Sequence, residues 1–327
     1  MDQPVRAALA LGSGGARGYA HIGVIQVLEE RGVEIVAVAG SSMGALVGGL
    51  YAAGKLDEYT EWVSNLTQFD VLRLLDVSLT APGMIRAEKI FARMRELLEG
   101  ALIEDLPVPF TAVATDLLAR KAVWFQRGPV DAAVRASIAT PGMFPPVMLN
   151  GRVLVDGGLM EPVPVAPTAS ARADVTIAID LGGERGGPQE GSPARETAED
   201  RPVDEWVDRF RRGTSNLLDR ELVRSLLSRF GGASKPGADD ETDSAGEPLD
   251  TLPAGLSRFD VMNQSLEAMQ SVLTRYRLAG DPPDLLVTIP KDACRTLDFH
   301  RASEMIALGR DLTIDALDAA VLTPPSP

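Results

Sequence analysis

The chain has 327 residues, 45% of them hydrophobic, and a formal net charge of −14. That apolar share allows a sizeable core and excludes a disordered chain, while the acidity argues against a general nucleic-acid binder and against simple electrostatic adhesion of the whole protein to anionic lipid. One cysteine, Cys294, forbids an internal disulfide and fits a reducing compartment, and two histidines, His21 and His300, leave no histidine-rich metal site and no evident zinc ligand set.

In chain order, Arg6–Leu11 is a short apolar run expected to be a strand, and it ends in the glycine loop Gly12-Ser13-Gly14-Gly15-Ala16-Arg17-Gly18. The segment Tyr19–Arg31 carries apolar residues at helical spacing and stops at Gly32. Val33–Ala39 is β-branched and apolar, a buried strand, and it runs into Gly40-Ser41-Ser42-Met43-Gly44. A small-residue helix, Ala45–Ala53, follows and stops at Gly54. Two consecutive strand–loop–helix units predict a three-layer α/β/α fold around a mostly parallel sheet.

Residues 55–107 read as mainly helical, with a break at Thr80-Ala81-Pro82-Gly83. Strands are expected at Phe110–Leu117, Ala122–Phe125, Arg152–Asp156 and Asp174–Gly182, and a helix at Val130–Ile138 ahead of the proline-rich Thr140–Pro146. Residues 6–182 would then form the N-terminal core. Residues 183–257 read as a flexible, charged insert rich in breakers. Within it, residues 203–230 can form a basic amphipathic helix with Leu218, Leu222, Leu226 and Phe230 at four-residue spacing. Such a helix can lie on a membrane surface, lid an apolar site or pack on its own domain. Residues 258–322 would complete the same domain with a helix, the strand Leu285–Pro290 and a last helix, and 323–327 would fray. Met1–Arg6 opens no apolar stretch with a cleavage site, and no run reaches bilayer-spanning length, so a cytoplasmic protein is expected, with a peripheral inner-membrane contact through residues 203–230 as the further reading.

The chemistry starts at Ser42. A strand turning into a helix around G-x-S-x-G is a nucleophile elbow, in which glycines flank the serine because the tight turn leaves no room beside it. A serine needs a partner to accept its proton. His21 lies on the helix after the glycine loop, where packing explains it, and His300 has no strand-end context. The base is therefore sought among strand-end carboxylates, of which Asp116, Asp156 and Asp180 qualify. Asp156 is the best placed, because Gly157 and Gly158 let another backbone or a substrate come close, and burial would raise its pKa toward the task. Asp116 and Asp180 read equally well as turn caps. The glycine loop departs from a dinucleotide fingerprint, since Ser13 stands at its first glycine and the next strand ends in the elbow rather than an acidic residue. Its amides suit an oxyanion instead.

Four blocks in order, Gly12–Gly18, Gly40–Gly44, Ala136–Pro146 and Asp156-Gly157-Gly158, resemble those of the patatin-like phospholipases over residues 6–182, and Pro283–Pro290 resembles the closing strand of short bacterial members. The resemblance implies a Ser–Asp dyad of Ser42 as nucleophile and Asp156 as base. It implies an oxyanion hole from the backbone of Gly14, Gly15 and Ala16, with Arg17 ordering the loop, and no metal or organic cofactor. Ser13, where many members carry glycine, is a departure. The implied substrate is a fatty-acyl ester or phospholipid. Acyl transfer, thioester hydrolysis and a catalytically silent regulatory protein are the alternatives with the same fold.

Overall fold

A computed structural model describes residues 4–75, 87–183 and 258–320. The first half runs β1 (Arg6–Leu11), α1 (Ala20–Glu30), β2 (Glu34–Ser41), α2 (Met43–Ala52), α3 (Leu56–Ser64), α4 (Gln68–Leu75) and α5 (Glu88–Leu98). The second runs β3 (Phe110–Asp116), β4 (Lys121–Phe125), α6 (Val130–Ser137), β5 (Val147–Leu149), β6 (Arg152–Asp156), β7 (Val175–Gly183), α7 (Arg258–Gly280), β8 (Leu285–Pro290) and α8 (Ala302–Ala319).

The eight strands of the described residues join one sheet in the order β5-β6-β3-β2-β1-β7-β8, with β4 also paired to β3. β8, β7, β1, β2 and β3 are parallel, and β4, β6 and β5 are antiparallel additions at one end. The alternation of β1 explains the layering. Leu9 and Leu11 point into the main core with Ile177 and Ile179 of β7, where Ile22, Ile25, Leu46, Leu50 and Met305 of α1, α2 and α8 meet them. Ala10 and Ala178 point the other way, against Val163, Val165 and Leu278 of α7. Large residues on one face and alanines on the other follow from the two-residue repeat of a strand. The result is the expected three-layer α/β/α fold.

The chain lays down β1, β2 and β3 outward in one direction, then returns past β1 to place β7 and β8 on its far side. The reversal lies between β1 and β7, and a crevice forms at the carboxyl ends of parallel strands at such a point. The glycine loop leaves β1 there and the elbow leaves β2 beside it. Residues 55–107 divide into α3, α4 and α5, while the expected break at Thr80–Gly83 lies outside the described residues. So do the insert beyond Gly183, including residues 203–230, and the tail.

His21 anchors the root of the glycine loop. It is wholly buried on α1, with Nε2 2.8 Å from the Gly12 carbonyl oxygen, so the neutral ring donates there from Nε2. Burial pushes its pKa down to about 4, and the hydrogen bond to Gly12 only partly opposes this. A value below that of the unfolded chain means stability that is present above about pH 6.5 and lost as pH falls toward 4, on the order of 3 kcal/mol when complete. His21→Gln keeps a donor without a titrating ring. Its thermal midpoint is expected to fall less between pH 6.5 and 4 than the wild type's; equal losses would remove His21 as the cause.

Candidate active site

Ser42 stands between the end of β2 and the start of α2 with φ 54° and ψ −121°, a left-handed backbone that a non-glycine residue adopts only when its surroundings enforce it. The enforcement is visible. A Cβ on Gly44 would stand 2.0 Å from the Leu11 carbonyl oxygen, so α2 can start this close to β1 only with glycine there. The Ser42 N–H donates to Ser137 Oγ at 2.9 Å, and the Ser137 hydroxyl donates to the Val113 carbonyl at 2.5 Å. Ser41 Oγ donates to the Glu161 carbonyl at 2.6 Å. The elbow is thus pinned to α6, to β3 and to the segment after β6.

β3 also brings up the partner. β2 pairs along Phe110–Val113 and stops at Ser41, opposite Val113. β4 occupies the other edge over Ala112–Asp116, so β6 takes the edge that β2 has left and sets Asp156 opposite Ala114, the next residue. Gly157 lies so close under β3 that a Cβ there would be 2.1 Å from the Val113 carbonyl oxygen. Two residues 114 apart in sequence meet as a consequence: Ser42 Oγ donates to Asp156 Oδ2 at 2.7 Å. Thr140 Oγ1 donates to the same oxygen at 2.6 Å, and the Gly158 N–H donates to Oδ1 at 2.7 Å. Thr115 Oγ1 and the Ala139 carbonyl hold the Asp156 backbone at 2.8 and 3.0 Å. Burial drives the Asp156 pKa above the usual carboxylate range, and the bonds from Thr140, Ser42 and Gly158 pull against it.

The other candidates take other posts. Asp116 accepts the Ala119 N–H at 2.9 Å, a turn cap, with Arg152 3.9 Å away. Asp180 lines the same cleft as Ser42 but accepts the Gly182 N–H at 2.9 Å. His300 lies in a short turn ahead of α8, and no hydrogen bond links either histidine to Ser42 or Asp156 among the described residues.

In the glycine loop, Gly12 and Ser13 donate to Ile179 and Pro162 carbonyls at 3.0 and 2.8 Å. Ala16 donates to the Thr296 carbonyl at 3.0 Å, so its amide is already engaged and is withdrawn from the expected oxyanion set. Gly14 and Gly15 have no partner for their N–H groups among the described residues, and both line the cleft with Ser42. Arg17 is buried and donates to the Lys291 and Cys294 carbonyls at 2.9 and 3.3 Å, which ties the loop to the segment after β8. Gly18 rests against Met43, beside the elbow. The cleft, about 1110 Å³, combines Leu46, Tyr59, Leu75, Phe91 and Phe144 with Gln264, Glu267, Arg275 and Lys291. Ser137 and Thr140 both sit in the Ala136–Pro146 block, where a pair of hydroxyl residues bracketing the end of a helix is the signal the sequence carries for them.

A family model described as patatin-like phospholipase matches residues 9–169, from β1 to beyond Asp156. An uncharacterized NTE family protein of Mycobacterium tuberculosis is 51% identical across 96% of this chain and 92% of its own length. The chain belongs to the patatin-like phospholipase family. The human patatin-like phospholipase domain-containing protein 6 is 35% identical over 54% of this chain and 13% of its own length. The lysophospholipase nte1 of Emericella nidulans is 33% identical over 53% of this chain and 12% of its own. Among the described residues of this patatin-like chain no helix is long and apolar enough to cross a membrane, and no three His, Cys, Asp or Glu residues cluster as metal ligands do.

Burial of an ionised Asp156 costs stability at neutral pH, so Asp156→Asn is expected to unfold a few degrees higher than the wild type near pH 7. The raised pKa means that protonation at lower pH relieves the same cost in the wild type, and the gap should narrow as pH falls through it. Thermal melts across pH check this; a variant less stable at every pH would contradict it.

Proposed function

We propose that this patatin-like protein is a serine lipid acyl hydrolase, a carboxylic ester hydrolase that works through a Ser42–Asp156 dyad and an acyl-enzyme. The observation that carries the reading is the 2.7 Å hydrogen bond from Ser42 Oγ to a buried carboxylate, at the strained tip of an elbow that opens into a cleft. A serine in that position has an acceptor for its proton without a histidine.

In the proposed cycle Asp156 Oδ2 takes the hydroxyl proton as Ser42 Oγ attacks the ester carbonyl carbon. Negative charge grows on the carbonyl oxygen, and the Gly14 and Gly15 amides are the proposed donors to it. Arg17 holds their loop through the carbonyls after β8. As the tetrahedral species collapses, the C–O bond to the alcohol breaks and the alcohol leaves with the proton from Asp156. Water then gives its proton to Asp156 and attacks the acyl-enzyme, and the fatty acid departs as Ser42 regains its hydrogen. Every step balances without a cofactor. The mixed lining, apolar from α2 to α5 and with polar side chains among the apolar ones of α7 and after β8, suits an ester that joins an acyl chain to a polar head, such as a phospholipid or lysophospholipid. The fungal relative is named a lysophospholipase, which is of that class. We place residues 6–182 and 258–322 in one catalytic domain, since β8 completes the sheet beside β7.

Ser42→Ala is expected to reduce fatty-acid release by roughly 10⁴-fold or more with the fold intact by circular dichroism. Phospholipid, lysophospholipid, p-nitrophenyl ester and acyl-CoA should be compared side by side. Full activity in the variant, or turnover of acyl-CoA alone, would overturn the reading. Because the base acts ionised and its pKa is raised by burial, kcat should climb with pH through a value above the ordinary carboxylate range. A flat profile across that range would count against Asp156.

A further inference from the structure

The block Ala136–Pro146 takes no step in the cycle above, yet it touches both members of the dyad. Ser137 meets the Ser42 amide, Ala139 meets the Asp156 amide, and Thr140 meets the Asp156 carboxylate. The Thr140 contact differs from the other two because it falls on Oδ2, the atom that also accepts the Ser42 hydroxyl. We propose that Thr140 is a positioning residue of the reaction, whose hydroxyl fixes Asp156 Oδ2 toward Ser42 and keeps that carboxylate ionised in its buried place.

A threonine hydroxyl has one proton to give. Thr140 Oγ1 stands 2.6 Å from Asp156 Oδ2 and 3.4 Å from the Ile138 carbonyl oxygen, so the short, charge-assisted bond takes it. With Gly158 on Oδ1, both carboxylate oxygens are held and the plane of the group is set. The Ser42 bond is spent when its proton moves, which leaves Thr140 as the remaining side-chain bond orienting the base. Once Oδ2 carries the proton from Ser42, the Ile138 carbonyl gives the Thr140 proton a second acceptor, reached by rotation of the hydroxyl alone.

Among the described residues no charged side chain bonds to the Asp156 carboxylate. Arg17, Asp180, Glu267, Arg275, Lys291 and Asp292 line the same cleft, while the displacement of the Asp156 pKa comes from burial and is opposed by the three donors. On the packed elements, Arg135 of α6 is paired with Glu88 of α5 at 2.8 Å, and Asp116 of β3 stands 3.9 Å from Arg152 of β6. Among the three donors Thr140 makes the shortest bond, 2.6 Å against 2.7 Å from Ser42 and from Gly158. A hydrogen bond to an ionised group is worth enough that its removal moves a carboxyl pKa by about one unit or more.

The inference about kcat rests on the hydrolase reading, and the inference about the carboxylate does not. The test therefore has two readouts. The infrared carboxyl band of Asp156, isolated by subtracting Asp156→Asn, is titrated in wild type, Thr140→Val and Thr140→Ser, and kcat and KM for a p-nitrophenyl ester are measured across the same pH range. In Thr140→Val the band and the acid limb of kcat should both move up by about one pH unit or more. Its plateau kcat should drop about tenfold or more with KM nearly unchanged. Thr140→Ser, which keeps the hydroxyl, should restore both. A band that titrates with the wild type's in Thr140→Val, or that shifts as far in Thr140→Ser, overturns the proposal. A band that moves as expected in a protein that hydrolyses nothing sustains the carboxylate role and defeats the hydrolase reading. Thr140→Ala, which removes the hydroxyl without filling its space, carries the same comparison if the valine variant unfolds.

Discussion

One edge of β3 organises the site. A strand edge offers backbone groups at fixed intervals, and here two strands from distant parts of the chain share it in succession. β2 occupies it as far as Val113 and β6 takes it from Ala114. The elbow and the aspartate therefore have no freedom to drift apart by more than the sheet allows. β6 enters antiparallel, so its carboxyl end, where Asp156 sits, arrives at the carboxyl end of β2. A parallel strand in that place would have delivered its other end. The antiparallel additions to an otherwise parallel sheet are what turn a loop-bearing crevice into a two-residue site.

The price of a buried carboxylate explains much of what surrounds it. Among the described residues no arginine or lysine bonds to the Asp156 carboxylate; its partners there are two hydroxyls and an amide. Neutral donors moderate the effect of burial without cancelling it, and they leave a carboxylate whose proton affinity is above the ordinary range. A nearby cation would favour the ionised form further, and would weaken the carboxylate as the proposed base. Arg17, a buried cation of the same cleft, is turned instead to the Lys291 and Cys294 carbonyls, where it shapes the glycine loop. His21, the imidazole closest in sequence to the loop, is kept neutral and bonded to Gly12, so the chain uses it for structure.

Ser42 could be read from the sequence because everything that makes an elbow is local: a β-branched run, two glycines around a serine, and a small-residue helix. The two strand–loop–helix units gave the layer count for the same reason. The place of Asp156 was only one of three strand-end choices, since which strand β6 would pair with is a non-local fact and three aspartates share the same local grammar. Local hydrogen bonds then separate them, as Asp116 and Asp180 each cap a turn two or three residues on. β5, three residues long and directly behind Pro145-Pro146, has too little pattern to be seen without its partner β6. Ser137 and Thr140 were hidden because a hydroxyl at a helix end is ordinarily explained by the helix itself. The engagement of Ala16 by Thr296 depends on a segment 280 residues downstream, beyond the reach of any motif.

The claim on which the account depends is that Ser42 is made nucleophilic by Asp156. The most direct measurement is the rate and place of covalent labelling by a fluorophosphonate, followed by peptide mass mapping in wild type and Asp156→Asn. The account predicts one adduct, on the peptide carrying Ser42, and labelling in Asp156→Asn slower by about a hundredfold or more. An adduct on another residue, or an asparagine variant labelled as fast as the wild type, would contradict it.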